Sequence, residues 1–130
     1  MVGDTAITPS ANTFSQDGGI AVSSTEVTFT ENGIYFISLN LRFTDTAEER
    51  VVKGKIKLNV NGGGYNTVAE CADALANTGD GSSFACCVAT TYVGKINAVD
   101  TIQFEISSLT GQTANMDGEP FSIACIFRIS

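Results

Sequence analysis

The sequence predicts an all-β domain, an antiparallel sandwich of two sheets with about eight to ten strands. Three observations carry that expectation. Apolar and polar residues alternate with period two through most of the chain. No stretch longer than about ten residues has helical periodicity. Clusters rich in Gly, Asn, Asp and Ser punctuate the apolar segments at regular intervals, as turns do in sandwiches. A length of 130 residues suits one domain, and 43% hydrophobic residues against 16% charged ones supply a core and exclude intrinsic disorder.

The elements follow in order. Weaker strands are expected around Thr5–Thr8, Ile20–Ser23 and Glu26–Thr30. The clearest strand is Gly33–Asp45, where Tyr35, Ile37, Leu39, Leu41 and Phe43 form one apolar row. In Val51–Val60, Val52, Ile56, Leu58 and Val60 alternate with Lys53, Lys55, Lys57 and Asn59. The polar loop TDTAEER separates the two, and NGGG at 61–64 is a turn because glycine tolerates positive φ. Tyr65–Cys71 reads as a short strand, with Ala72–Ala76 the one place where a helical turn competes. After the turn at 77–83, Ser83–Ile96 is a long strand rich in β-branched and aromatic residues. Val99–Ser108 sets Ile102, Phe104 and Ile106 inward and Thr101, Gln103 and Glu105 outward. A loop at 110–120 precedes Phe121–Ser130, whose Phe121, Ile123, Cys125, Phe127 and Ile129 read as a core row. No repeat, low-complexity tract or linker divides the chain. Residues 1–25 read as an arm-like extension with early strands, and 26–130 as the main domain.

The faces opposite the core rows separate the strands into two groups. On 51–60 and 99–108 the second face is Lys, Asn, Thr, Gln and Glu, which places those strands in a sheet with one wet side. On 33–45 it carries Ile34 and Phe36, on 83–96 Ala85, Cys87, Ala89 and Val93, and on 121–130 Ala124 and Ile126. If these three strands share a sheet, their second face is an apolar patch of the kind that marks an interface. Ile34, Phe36, Ala85, Cys87, Ala89, Ala124 and Ile126 are therefore the expected self-association residues. Cover by loops or the N-terminal segment is the competing explanation.

Chemistry has little to work with. The chain has no His, which removes the commonest general base and metal ligand. It has no nucleophile elbow, phosphate-cradling loop or dinucleotide fingerprint, so neither an enzyme nor a cofactor is expected. A net charge of −7 argues against nucleic acid or an anionic membrane as partner. No window approaches the roughly 18 apolar residues of a membrane span. The first residues lack the basic and apolar regions of a secretory signal, so the chain reads as a product that begins at Met1 and folds in a cytoplasm. Cys71, Cys86, Cys87 and Cys125 lack metal-ligand spacing and read as free, mostly buried thiols. A Cys86–Cys125 contact across core strands is the alternative. Asp80, Asp117 and Glu119 could offer oxygens to Ca²⁺, but no full ligand loop surrounds them and turn chemistry accounts for them. Lys53, Lys55 and Lys57 form a basic row that suits a solvated strand or docking on an acidic partner.

The order of these features resembles a known family. NGIYFISLNLRF resembles the Gly-x-Tyr strand of the complement-q and tumour-necrosis-factor (TNF) like jelly rolls, INAVDTIQFEIS their Gly-Asp strand, and EPFSIACIFRI their closing Phe-Ser strand. IKLNVNGGG is similar to a hairpin of bacterial and phage members. The resemblance covers residues 26–130, and Val99 departs from it where the family usually has Gly before Asp100. It implies a ten-strand jelly roll that forms a compact homotrimer, with the sheet containing 33–45, 83–96 and 121–130 facing the three-fold axis. The function expected is a structural virion protein, a capsid decoration (cement) protein or fibre head. It would be made in the host cytoplasm, sit on the virion surface, and have a major capsid protein or other virion protein as partner. The alternative is a lectin-like or receptor-ligand head whose loops 61–65, 77–83 and 110–119 hold a glycan or Ca²⁺.

Overall fold

The computed structural model of the chain describes residues 3–6, 20–23, 25–45, 50–75, 84–108, 115–116 and 123–130, and every regular element among them is a strand. In chain order these are β1 (Gly3–Ala6), β2 (Ile20–Ser23), β3 (Glu26–Phe29), β4 (Gly33–Asp45), β5 (Arg50–Asn59), β6 (Tyr65–Leu75), β7 (Phe84–Ile96), β8 (Thr101–Ser108), β9 (Asn115–Met116) and β10 (Ile123–Arg128). All pairings are antiparallel. One sheet runs β2-β3-β8-β5-β6, with β1 also on β8. The second runs β10-β4-β7, with β9 also on β4. The division read from the second faces of the strands is therefore the observed one: β5 and β8 lie in one sheet, β4, β7 and β10 in the other.

The core is the space between the sheets. From the second sheet come Tyr35, Ile37, Leu39, Leu41, Phe43, Val88, Ile96 and Ile126; from the first come Val27, Phe29, Val52, Ile56, Leu58, Ile102 and Phe104. Phe29 and Tyr35 meet edge to face across the layer, with ring centroids 4.7 Å apart. β6 is longer than expected. It runs to Leu75, through the described part of the Ala72–Ala76 segment where a helical turn competes, because β5 supplies a ladder as far as the Arg50–Leu75 pair. Val60 leaves the core row and is exposed, since β5 ends at Asn59 and Val60 opens the turn. In that turn Gly63 N–H donates to the Val60 carbonyl, and Gly62 and Gly64 take positive φ, as the glycine run requires.

β10 faces the opposite way from the sequence-based expectation. Its register is fixed by β4, with Ala124 opposite Leu39, Ile126 opposite Ile37 and Phe127 opposite Phe36. Neighbours across a ladder share a face, so Ala124 and Ile126 join the Leu39–Ile37 core row. Ile126 is wholly buried and Ala124 packs against the core, while Ile123, Cys125, Phe127 and Ile129 are exposed. Arg128 shares the inward parity yet lies at the mouth of the sandwich. There its guanidinium donates to Glu31 Oε2 and the Asn32 carbonyl, each at 2.8 Å. Gly33 makes room, since a Cβ there would lie 2.5 Å from Arg128 Nε and 2.7 Å from the Ser130 carbonyl oxygen.

That same end of the sandwich is tied by one buried carboxylate. Asp100 is only 2% exposed, and its two oxygens accept from Asn61 N–H at 3.0 Å and Asn97 N–H at 2.9 Å. Asn32 Oδ1 accepts from Ala98 N–H at 2.7 Å, which joins a third loop to the cluster. The price appears at Val99, whose φ of 81° lies in the left-handed region that a β-branched residue resists. Val99 thus holds a glycine-like conformation at the position where the resemblance implies Gly.

Candidate functional site

The outer face of the β10-β4-β7 sheet is built from residues of one parity on three strands. The ladders align Phe127, Phe36 and Val93 in one row, Cys125, Ser38 and Thr91 in the next, and Ile123, Asn40 and Ala89 in a third. Ile34 and Ile129 extend the apolar end, joined by the Ile129 N–H donating to the Ile34 carbonyl at 2.7 Å. Phe36 and Phe127 stack with centroids 4.8 Å apart. Ile34 and Ile123 are each 42% exposed, Phe127 40%, and Val93 and Ile129 each 54%. The polar members are Ser38, Asn40 and Arg42 along β4 and Thr91 and Lys95 on β7. No carboxylate stands among the described outward-facing residues of this sheet, in a chain of net charge −7. Apolar bulk with acid depleted is the composition of an interface centre.

Of the residues expected on this face, Ile34, Phe36, Cys87 and Ala89 lie there. The Ala85 side chain is outside the described residues, and Ala124 and Ile126 belong to the core instead. The reversal of β10 exchanges two small or medium residues for Ile123, Cys125, Phe127 and Ile129, so the face is larger and more aromatic than expected. The sequence signal was present as apolar residues of both parities on 121–130. Only the pairing with β4 decides which parity faces out.

The outer face of the other sheet is of different character. Lys57 Nζ lies 3.3 Å from Glu105 Oε1, and Lys53 Nζ lies 3.8 Å from Glu70 Oε1. Lys55 stands opposite Glu70 on β6 and Glu105 on β8. The basic row is thus interleaved with acids of its own sheet. Glu105, expected outward and wet, is only 8% exposed. Nearby, Tyr65 donates to Glu26 Oε1 at 2.9 Å and shares a 2.8 Å hydrogen bond with Thr101. Burial pushes the Tyr65 hydroxyl above its ordinary value, and the Glu26 charge adds to the rise.

The thiols also depart from expectation. Cys71, Cys87 and Cys125 are free, but Cys87 and Cys125 are exposed and Cys71 is half-buried. Of the Cys86–Cys125 alternative, Cys125 is free and belongs to the outer row of β10, and the Cys86 side chain lies outside the described residues. Asp80, Asp117 and Glu119 lie outside the described residues, as do loops 77–83 and 110–114. Among the described residues no group of His, Cys, Asp or Glu is arranged to hold a metal ion. No described helix is long and apolar enough to cross a membrane.

No protein-family model and no curated protein matches the sequence. Solved structures do match in fold. The crystal structure of murine APRIL at pH 5.0 is 14% identical with a TM-score of 0.68, over 88% of this chain and 80% of that one. Murine APRIL at pH 8.0 gives 14% identity and a TM-score of 0.65, over 88% and 77%. Eiger TNF from S. frugiperda is 12% identical with a TM-score of 0.63, over 81% of this chain and 64% of that one. The fold is a TNF-like jelly roll.

Proposed function

From a TNF-like jelly roll with one apolar outer face, we propose a homotrimeric head that works by docking and performs no bond chemistry. The observation that carries this reading is the outward row of exposed Phe127, half-buried Phe36 and exposed Val93, with its flanking Ile34, Ile123 and Ile129. Leaving such a contiguous surface in water is costly, at roughly 25 cal/mol for each Å² that assembly would bury. A second copy of the chain supplies a matching surface. Three-fold closure is what the TNF-like resemblance implies, and a cyclic arrangement uses the two flanks of one face as complementary halves.

For the docking target we propose a particle shell, with the chain acting as a capsid decoration protein or fibre head. Its support is the resemblance of the Ile56–Gly64 hairpin, IKLNVNGGG, to bacterial and phage members. A receptor-ligand head is the second reading, supported by the likeness in fold to murine APRIL and Eiger TNF. Incubating the assembled protein with empty phage shells, then sedimenting them, separates the two. Saturable binding at three-fold positions without added cation or sugar supports decoration. Failure to bind shells, together with chelator-sensitive binding to a glycan array, overturns it in favour of a binding head.

A further inference from the structure

Among the described residues, two buried side-chain polar atoms have no hydrogen-bond partner, and both lie on the outer face of the first sheet. They are Glu105 Oε2 and Ser107 Oγ, in residues 8% and 4% exposed. The two residues follow each other on the outward parity of β8, roughly 7 Å apart along the strand. Lys57 Nζ lies 3.3 Å from Glu105 Oε1, which leaves Oε2 unused. Lys53 stands directly opposite Ser107, but its ammonium is engaged by Glu70 at 3.8 Å. A polar group buried without a partner is costly and uncommon in a folded chain. Two of them side by side mark a place where a ligand's groups are missing.

The chemistry of that ligand follows from the atoms. A carboxylate oxygen only accepts, so the ligand donates to Oε2, whereas Ser107 Oγ both donates and accepts. A sulfate or carboxylate has no proton to give and meets Oε2 with like charge. A metal ion is repelled by the lysines. Lys53, Lys55 and Lys57 are matched on this face by Glu26, Glu70 and Glu105, so a neutral ligand fits. Peptide main chain also donates and accepts, but it docks on a strand edge, and both edges of β8 are taken, by β5 on one side and by β1 and β3 on the other. Hydroxyls closely spaced around a sugar ring meet all these demands. We propose that this face is a saccharide site that takes a neutral glycan without a metal ion. One ring hydroxyl donates to Glu105 Oε2 and a second pairs with Ser107 Oγ. The long stems of Lys53 and Lys57 have the rotamer freedom to swing out, admit the ring and donate to its oxygens. The site lies on the sheet opposite the assembly face, so it goes beyond the docking reading and stands or falls separately.

The test probes the full chain on an array of neutral glycans with EDTA present, then titrates the strongest binder by calorimetry. Saturable binding in EDTA is expected, weaker by about tenfold or more in Ser107→Ala and in Glu105→Gln. Ser107→Ala removes an unsatisfied buried hydroxyl, so its Tm should hold or rise, and a loss of binding there is not a loss of fold. Should either variant not fold, deoxy analogues of the bound sugar, titrated against the unaltered chain, carry the test. At least one of them should bind about tenfold more weakly, because its missing hydroxyl leaves a buried group unpaired. No binder among the neutral glycans, binding that EDTA abolishes, or an affinity unchanged in Ser107→Ala overturns the proposal and leaves self-association standing. A chain that binds the sugar as expected yet sediments at one chain mass supports the saccharide site and overturns the assembly reading alone.

Discussion

On the outer face of the β5-β6-β8 region Lys53 and Lys57 stand over Glu70 and Glu105, whereas the equivalent rows of β10-β4-β7 hold Phe127, Phe36 and Val93. The backbones are alike: both are antiparallel ladders with one side in the core. What differs is how each outer row satisfies itself. Lys53 and Lys57 on the first sheet find acidic partners across their own ladder, although Glu105 Oε2 and Ser107 Oγ on that face are buried without a hydrogen-bond partner. The apolar rows of the second find no such partners on their own ladder, and their proposed partners are those of another copy of the chain. The two outer faces of one sandwich thus differ in composition, one charged and paired across its ladder, the other apolar and the face proposed to assemble.

The largest expected effect comes from placing charge on the apolar face. Phe127→Glu should leave the subunit folded and abolish assembly, since an unpaired carboxylate within an interface costs about 3 kcal/mol or more; sedimentation equilibrium reads the loss. Its neighbour should behave in the opposite way. Ile126→Ala should lower subunit stability by about 2–4 kcal/mol in urea unfolding, because Ile126 is wholly buried within the core. If Ile126→Ala instead spares stability and impairs assembly, the inward parity of β10 is wrong.

Smaller effects lie away from both faces. Val99→Gly should raise the unfolding free energy by about 1 kcal/mol by relieving the left-handed backbone, measurable as a higher Tm. Lys53→Gln on the wet face should cost under about 1 kcal/mol, a loss that 1 M salt should largely erase, since the Lys53–Glu70 pair is exposed enough to be screened. Tyr65 supplies a pH-dependent contribution. Its folded value is raised, so its share of stability is full below the ordinary 10.0 and is lost as pH climbs through the folded value; a Tyr65→Phe variant should lack that alkaline drop.

How far the sequence could carry these conclusions varied with the locality of the signal. β4 was legible because its outer parity turns polar at Ser38, Asn40 and Arg42, leaving only one row fit for the core. The grouping of strands into sheets was legible because wet and dry second faces sort β5 and β8 from β4 and β7. β10 was not, since both parities are apolar and only its register against Phe36 and Ile37 decides. Asp100 stood out only through the resemblance of its strand. Its burial depends on Asn61, 39 residues away, which local pattern cannot reveal. Glu105 is similar: an outward carboxylate becomes sheltered through Lys57 on the neighbouring strand.

The central claim is that the β10-β4-β7 face closes on copies of itself. Sedimentation equilibrium of the unmodified chain under reducing conditions tests it most directly. The expected result is one species at three times the 13.6 kDa chain mass, converted to a single chain mass by Phe127→Glu. A species that stays at one chain mass across the whole concentration range would contradict it.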